Sequence, residues 1–170
     1  MSCSDPLRRR AVLLLGLGAL SACSLAPVYG PAGAGPLLQN RIRPDDPATE
    51  AAHAFVARLE ERLGRAPAPA YRLAYTLSTR SETAAATPVR SASRIRLMGT
   101  ATLTVRDAAS GAELHADKVE AFTAYSTTDT PLATRAAAED AERRLMAMLA
   151  DQAAMRLLAT ATRWAALPGR

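Results

Sequence analysis

Aromatic side chains make up only 4% of this 170-residue chain. A core built without them must come from Leu, Val, Ile, Met and a great deal of Ala, the smaller members of the group that is usually buried. Thiols are scarcer still. The two cysteines are Cys3 and Cys23, and Cys3 precedes the first apolar run, in a stretch that processing would remove. No disulfide framework can form, so the mature chain must fold on packing alone. The histidines are His53 and His115. Neither has a Cys or an acidic cluster at ligand spacing, so no metal pattern is completed, and both read as surface or half-buried side chains. Gly30, Gly33 and Gly35 do not follow a strand, which leaves no phosphate loop. Nothing in the chain forms a catalytic constellation or a cofactor fingerprint. These absences point away from an enzyme, a metalloprotein and a disulfide-stapled scaffold.

What is present begins at the N-terminus. Arg8, Arg9 and Arg10 precede an apolar run from Ala11 to Leu20, followed by Leu20-Ser21-Ala22-Cys23. A charged region, a short apolar region and small residues before a cut define a secretory signal. The run is far short of the ~20 residues that cross a bilayer as a helix. Leu-Ser-Ala-Cys also matches the pattern called a lipobox, in which the thiol receives a diacylglycerol, the signal is cut before the cysteine, and the new amine is acylated. The alternatives are a plain signal peptide or a signal anchor with a buried cysteine. Loss of residues 1–22 lowers the formal charge from +5 to about +3. A mildly basic mature chain suits phosphates or carboxylates without calling for nucleic acid.

The organisation expected is a signal at 1–22, an acylated Cys23 with a Pro/Gly-rich tether to residue 36, one domain over 37–166, and a short tail at 167–170. Within the domain, Leu37 to Ile42 reads as a short strand. Asp46 and Pro47 suit the start of a helix whose apolar stripe is Ala52, Phe55, Val56, Leu59 and Leu63, and Gly64 fits its stop. From Tyr71 the period changes to two. Tyr71, Leu73, Tyr75 and Leu77 alternate with polar residues, and Glu82 to Ser93 reads as a loop. Ile95, Leu97, Gly99, Ala101, Leu103 and Val105 form one face of a second strand, with Arg94, Arg96, Met98, Thr100, Thr102 and Thr104 opposite. Asp107 to Gly111 is a hairpin turn. Glu113 to Ser126 pairs back, less regularly, as a bulge would require. A long helix from about Pro131 to Trp164 closes the chain, with Thr130 at its cap and Leu145, Leu149, Ala153, Leu157, Ala161 and Trp164 on one stripe, widened by Ala141 and Met148. The fold class is α+β in two layers. Two helices pack on a small, mainly antiparallel or mixed sheet of about four strands, in the order β-α-β-β-β-α.

Two stretches resemble the LPS-assembly lipoprotein family LptE, in its alphaproteobacterial form. One is Pro27-Val28-Tyr29-Gly30 soon after Cys23. The other runs from Val119 to Ala161 and includes Ala124-Tyr125-Ser126, Pro131-Leu132-Ala133-Thr134, Ala138-Glu139-Asp140-Ala141 and Leu149-Ala150-Asp151-Gln152. The family usually has Asn where this chain has Ser126. The resemblance implies an outer-membrane lipoprotein, anchored on the periplasmic side, that plugs an LptD-like β-barrel and contacts lipopolysaccharide in transit. Ser24 is not the Asp that retains many lipoproteins at the inner membrane of enteric bacteria. The alternative is an accessory lipoprotein of a lipid or solute transporter in the envelope.

The best binding residues are basic. Arg90 precedes the second long strand, Arg94 and Arg96 lie on its non-core face, and Arg135 lies near the start of the last helix. Arginine makes bidentate contacts to phosphate, which lipid A and inner-core sugars often carry. The alternative is that these arginines are solvated or meet a partner's acids. Glu139, Asp140 and Glu142 read as charges offsetting the helix dipole rather than as paired catalytic carboxylates.

Overall fold

The computed structural model describes residues 30, 33–83, 94–127 and 130–165. Among the described residues the elements are, in order, α1 (Gly35–Leu38), β1 (Ile42–Pro44), α2 (Glu50–Leu63), β2 (Tyr71–Thr83), β3 (Arg94–Asp107), β4 (Glu113–Ser126) and α3 (Pro131–Trp164). The sheet order is β1-β2-β3-β4, with β1 parallel to β2 and the other pairs antiparallel. Both long helices lie on one face of this mixed sheet, the expected α+β arrangement.

The expected strand from Leu37 to Ile42 is a helical turn followed by a later strand. Leu37 and Leu38 are both buried, and successive side chains of a strand point to opposite faces. A turn with Pro36 in its first positions buries both. Asn40 then takes a left-handed conformation at φ 56° and donates its N–H to the carbonyl of Leu63 at 2.8 Å. That bond ties the entry of the domain to the end of α2. Gly64 sits there at φ 77°, and a side chain at that position would collide with Asn40.

The helix α2 starts later than Asp46 and Pro47 suggested. Thr49 is its cap and accepts from the Ala52 N–H at 3.1 Å. Asp46, in the loop before α2, instead pairs with Arg43 of β1. The expected stripe of Ala52, Phe55, Val56, Leu59 and Leu63 is buried.

β2 runs through Glu82 to Thr83 and so takes in the first residues of the segment read as a loop. Its pairing with β3 is unbroken from Tyr71 opposite Asp107 to Thr83 opposite Ile95. β4 pairs with β3 from Ser126 opposite Arg94 to His115 opposite Val105, and the register then shifts. Leu114 is the extra residue of a bulge, which accounts for the poorer alternation there.

α3 is 34 residues long, about 51 Å at 1.5 Å per residue, enough to cover the whole sheet. Its buried face runs through Ala141, Leu145, Met146, Leu149, Ala150, Ala153, Ala154, Leu157, Leu158 and Ala161. Met148, read as part of that stripe, is 41% exposed, and the buried methionine is Met146 at 0%. The contact is close because its residues are small. At Gly99 on β3, a Cβ would come within 2.9 Å of Leu149 Cδ1 and 3.0 Å of Leu145 Cδ2.

Charge fastens the two helices. Asp151 on α3 accepts from Arg58 (2.9 and 3.1 Å) and Arg62 (2.7 Å) on α2. At the C-terminal end of α3, Thr160 Oγ1 donates to the Arg156 carbonyl and accepts from Trp164 Nε1 at 3.1 Å, with His115 Nε2 at 3.2 Å. Trp164 stacks on His115 and meets Tyr71 edge-on. Thr130 holds the N-terminal cap position of α3, but its side chain does not cap the helix.

Candidate functional site

Because both helices cover one face, the other face of the sheet is open. Strand alternation puts Thr76, Ser78, Arg80 and Glu82 of β2 there, and Arg94, Arg96, Met98, Thr100, Thr102 and Thr104 of β3. β4 adds Lys118, Glu120, Phe122 and Ala124. The register sets these in cross-strand rows: Thr76–Thr102–Lys118, Ser78–Thr100–Glu120, Arg80–Met98–Phe122 and Glu82–Arg96–Ala124. Hydroxyls fill the middle rows of the face, and Arg80 and Arg96 lie around an apolar patch of Met98 and Phe122 toward its Arg94 end.

A depression of about 650 Å³ lies there, and its lining includes Arg80, Arg96, Met98, Thr100, Lys118 and Phe122. The Arg96 guanidinium lies over the Phe122 ring, 4.4 Å from its centroid, a cation–π distance. Phe122 is nevertheless 57% exposed. An apolar ring of that size left open to solvent is the informative kind of exception. Arg80 reaches the Met98 sulfur at 4.0 Å and pairs with Glu82 at 3.4 Å. Lys118 pairs with Glu120 at 2.8 Å, and that contact holds the Glu120 carboxyl below its ordinary value. Among the described residues, neither Arg94 nor Arg96 has a carboxylate within ion-pair distance. The surface can therefore offer guanidinium donors to phosphate and, beside them, a patch for hydrocarbon.

Of the residues expected to bind, Arg94 and Arg96 share this open face. Arg135 does not join them. It is carried by α3, in the layer behind the sheet, and pairs with Glu139 at 2.9 Å. Arg90 and Cys23 lie outside the described residues. Arg80, Lys118 and Phe122 were missed by sequence reading. Only strand register brings them beside Arg96, and no local spacing signals that. Glu139, Asp140 and Glu142 begin eight residues into α3, beyond the first turn where the dipole acts. Glu139 pairs with Arg135, and Asp140 with Arg143 and Arg144. His53 is exposed, and His115 belongs to the Trp164 contact. Among the described residues no three His, Cys, Asp or Glu side chains are grouped to hold a metal, and no helix is long and apolar enough to cross a membrane.

An open-faced sheet backed by two helices is a fold seen in bacterial lipoproteins of known structure. A candidate lipoprotein from Caulobacter crescentus CB15 superposes with a TM-score of 0.61 at 22% identity, over 77% of this chain and 96% of the other. The minor lipoprotein of Acinetobacter baumannii gives 0.58 at 16% identity, over 78% and 100%. Rare lipoprotein B of Shewanella oneidensis gives 0.53 at 19% identity, over 72% and 94%. Likeness at these identities concerns the fold. No curated protein sequence matches the chain. The family model for LptE, lipopolysaccharide-assembly, matches residues 39–157. The chain belongs to that family.

Proposed function

We propose that this protein is a non-enzymatic outer-membrane lipoprotein, acylated at Cys23 and facing the periplasm, that plugs an LptD-like β-barrel during lipopolysaccharide transport. Family membership supports the process. The observation that carries the role is the sheet face left open by both helices. Its hydroxyl rows suit a polar barrel lumen, and Arg94 and Arg96 beside Phe122 suit a glycolipid with phosphates next to hydrocarbon. Arg96 contributes a charge-assisted, bidentate donor, held in place by its stacking on Phe122. Arg90 precedes Arg94 in sequence and is assigned to the same ligand. Arg135, already paired with Glu139 behind the sheet, is assigned a lesser part. No cofactor or metal is needed for such a role.

Two measurements test this. Isolation of the acylated protein from outer membranes in mild detergent should bring down a stoichiometric large β-barrel. A transporter ATPase complex in its place would favour the accessory-lipoprotein reading. Photoreactive residues at positions 90, 94, 96 and 122 should give lipopolysaccharide adducts. Adducts only at sites on the helix layer would remove the open face from the ligand path.

A further inference from the structure

We propose that Met98 is a redox-sensitive modification site. Oxidised to the sulfoxide by peroxide, it turns the apolar patch of the open face polar and loosens the hold of that face on hydrocarbon. The inference rests on the reading of the face as a glycolipid site and adds to it a means of release.

The chain has five methionines, and position decides what oxidation of each would do. Met1 falls in the expected signal. Met146 is 0% exposed beneath α3 and out of an oxidant's reach. Met148 and Met155 are exposed on α3, in the layer behind the sheet. Met98 is half-buried on the open face and lines the depression. With residues 1–22 removed and Cys23 acylated, as proposed above, no thiol remains to intercept an oxidant. The accessible thioethers then react first.

The neighbours of Met98 give its oxidation a consequence. In the register it stands directly opposite Arg80 on one side and Phe122 on the other. Arg80 Nη2 donates to its sulfur at 4.0 Å, while Arg80 Nε faces Glu82 at 3.4 Å. A thioether is a weak acceptor, and a sulfoxide oxygen is a strong one. In the reaction a sulfur lone pair attacks a peroxide oxygen. The S–O bond forms as the O–O bond breaks, and sulfur gives up two electrons. The departing hydroxide takes the proton of the transferred hydroxyl and leaves as water. The new oxygen finds a donor in Arg80 Nη2, and the pair between Nε and Glu82 need not break. Two losses follow for a ligand. Arg80 Nη2 is no longer offered to a phosphate, and the group between Arg80 and Phe122 becomes polar. Hydrocarbon laid on Phe122 must then strip solvent from the sulfoxide, a cost that the thioether does not impose. Met98 lies on the open face and not in the core, so the fold keeps its packing.

The test uses the full acylated protein in detergent with Met148→Leu and Met155→Leu, which leaves Met98 as the accessible thioether. A photoreactive residue at position 94 reports contact with lipopolysaccharide. Hydrogen peroxide, under conditions that convert free methionine, should add one oxygen to the peptide that holds Met98 and none to the peptide that holds Met146, as read by mass spectrometry. Lipopolysaccharide adducts at position 94 should then fall at least about fivefold. The two methionine sulfoxide reductases, one for each epimer, should restore them. Met98→Leu should keep its adducts through the same treatment, and Met98→Gln should give few without it. Circular dichroism should be unchanged throughout. Met98 left unoxidised, adducts undiminished after its full conversion, or an equal loss in Met98→Leu overturns the proposal. The absence of adducts at position 94 before oxidation is a separate result: it removes the open face from the ligand path, and the proposal falls with that reading.

Discussion

Replacing Asp151 with Asn removes one charge from the contact between α2 and α3 and changes almost nothing in shape. Asp151 receives three N–H groups from Arg58 and Arg62 at 2.7 to 3.1 Å, across sequence separations of 93 and 89 residues. Charge-assisted bonds contribute about 1.5–3 kcal/mol each when buried. Here the arginine side chains are 36% and 45% exposed, which brings each pair toward the surface value of at most about 1 kcal/mol. The expected loss is therefore about 1–2 kcal/mol at pH 7, or roughly 3–8 °C in Tm for a domain of this size. The Asp151 carboxyl is held below its ordinary value, first by Arg62 and then by Arg58, against the opposing effect of burial. A depressed carboxyl adds stability that is complete above the unfolded value of about 3.9 and is lost as pH falls through the folded value. The gap between wild type and Asp151→Asn should thus be full at pH 7 and close in strong acid, where a protonated Asp resembles Asn. Urea denaturation of both proteins at several pH values measures it. Equal stability at pH 7, or a gap that persists undiminished in acid, would refute the clamp.

Gly99→Val should cost about 1–3 kcal/mol by overpacking against Leu145 and Leu149, read as a lower urea midpoint with an unchanged slope. Met146→Ala should cost about 2–5 kcal/mol, while Met148→Ala should stay within about 0.5 kcal/mol. A reversal would mean that α3 is rotated on the sheet. Thr160→Val takes the acceptor from the Trp164 N–H and should cost about 1 kcal/mol, with a shift in the emission of the chain's single tryptophan. Phe122→Ala should leave Tm nearly unchanged yet weaken lipopolysaccharide crosslinking at position 94, because the neighbouring Arg96 guanidinium loses its stacking partner.

Alternation made β3, the start of β2 and the later part of β4 readable, since a one-sided sheet writes its burial into a period of two. The stripe of α2 was readable for the same reason, at a period near 3.6. The failures lie where local signals compete. Asp46-Pro47 carries a good helix start, yet the backbone near Asp45 is committed to the sheet: its N–H bonds the Leu73 carbonyl at 2.9 Å. The helix then begins at the next capable cap, Thr49. Met146 and Met148 are equal in composition, and in a helix rich in alanine either fits the stripe. Packing against the sheet chose between them. For the candidate site, Arg94 and Arg96 could be found because they are two apart on one strand. Arg80, Lys118 and Phe122 could not, because each reaches Arg96 only through pairing across strands.

By itself, the sequence determined the signal pattern ending at Cys23, the class of the fold, the long closing helix and the face on which Arg96 lies. Each is a local matter of run length, period or alternation. The tertiary structure alone decided which basic residues share a surface, that Arg135 stands behind the sheet, that Phe122 is left exposed beneath Arg96, and that β4 is an edge. Those depend on strand order and register, which bring together residues distant in the chain, and no window along the sequence contains both partners.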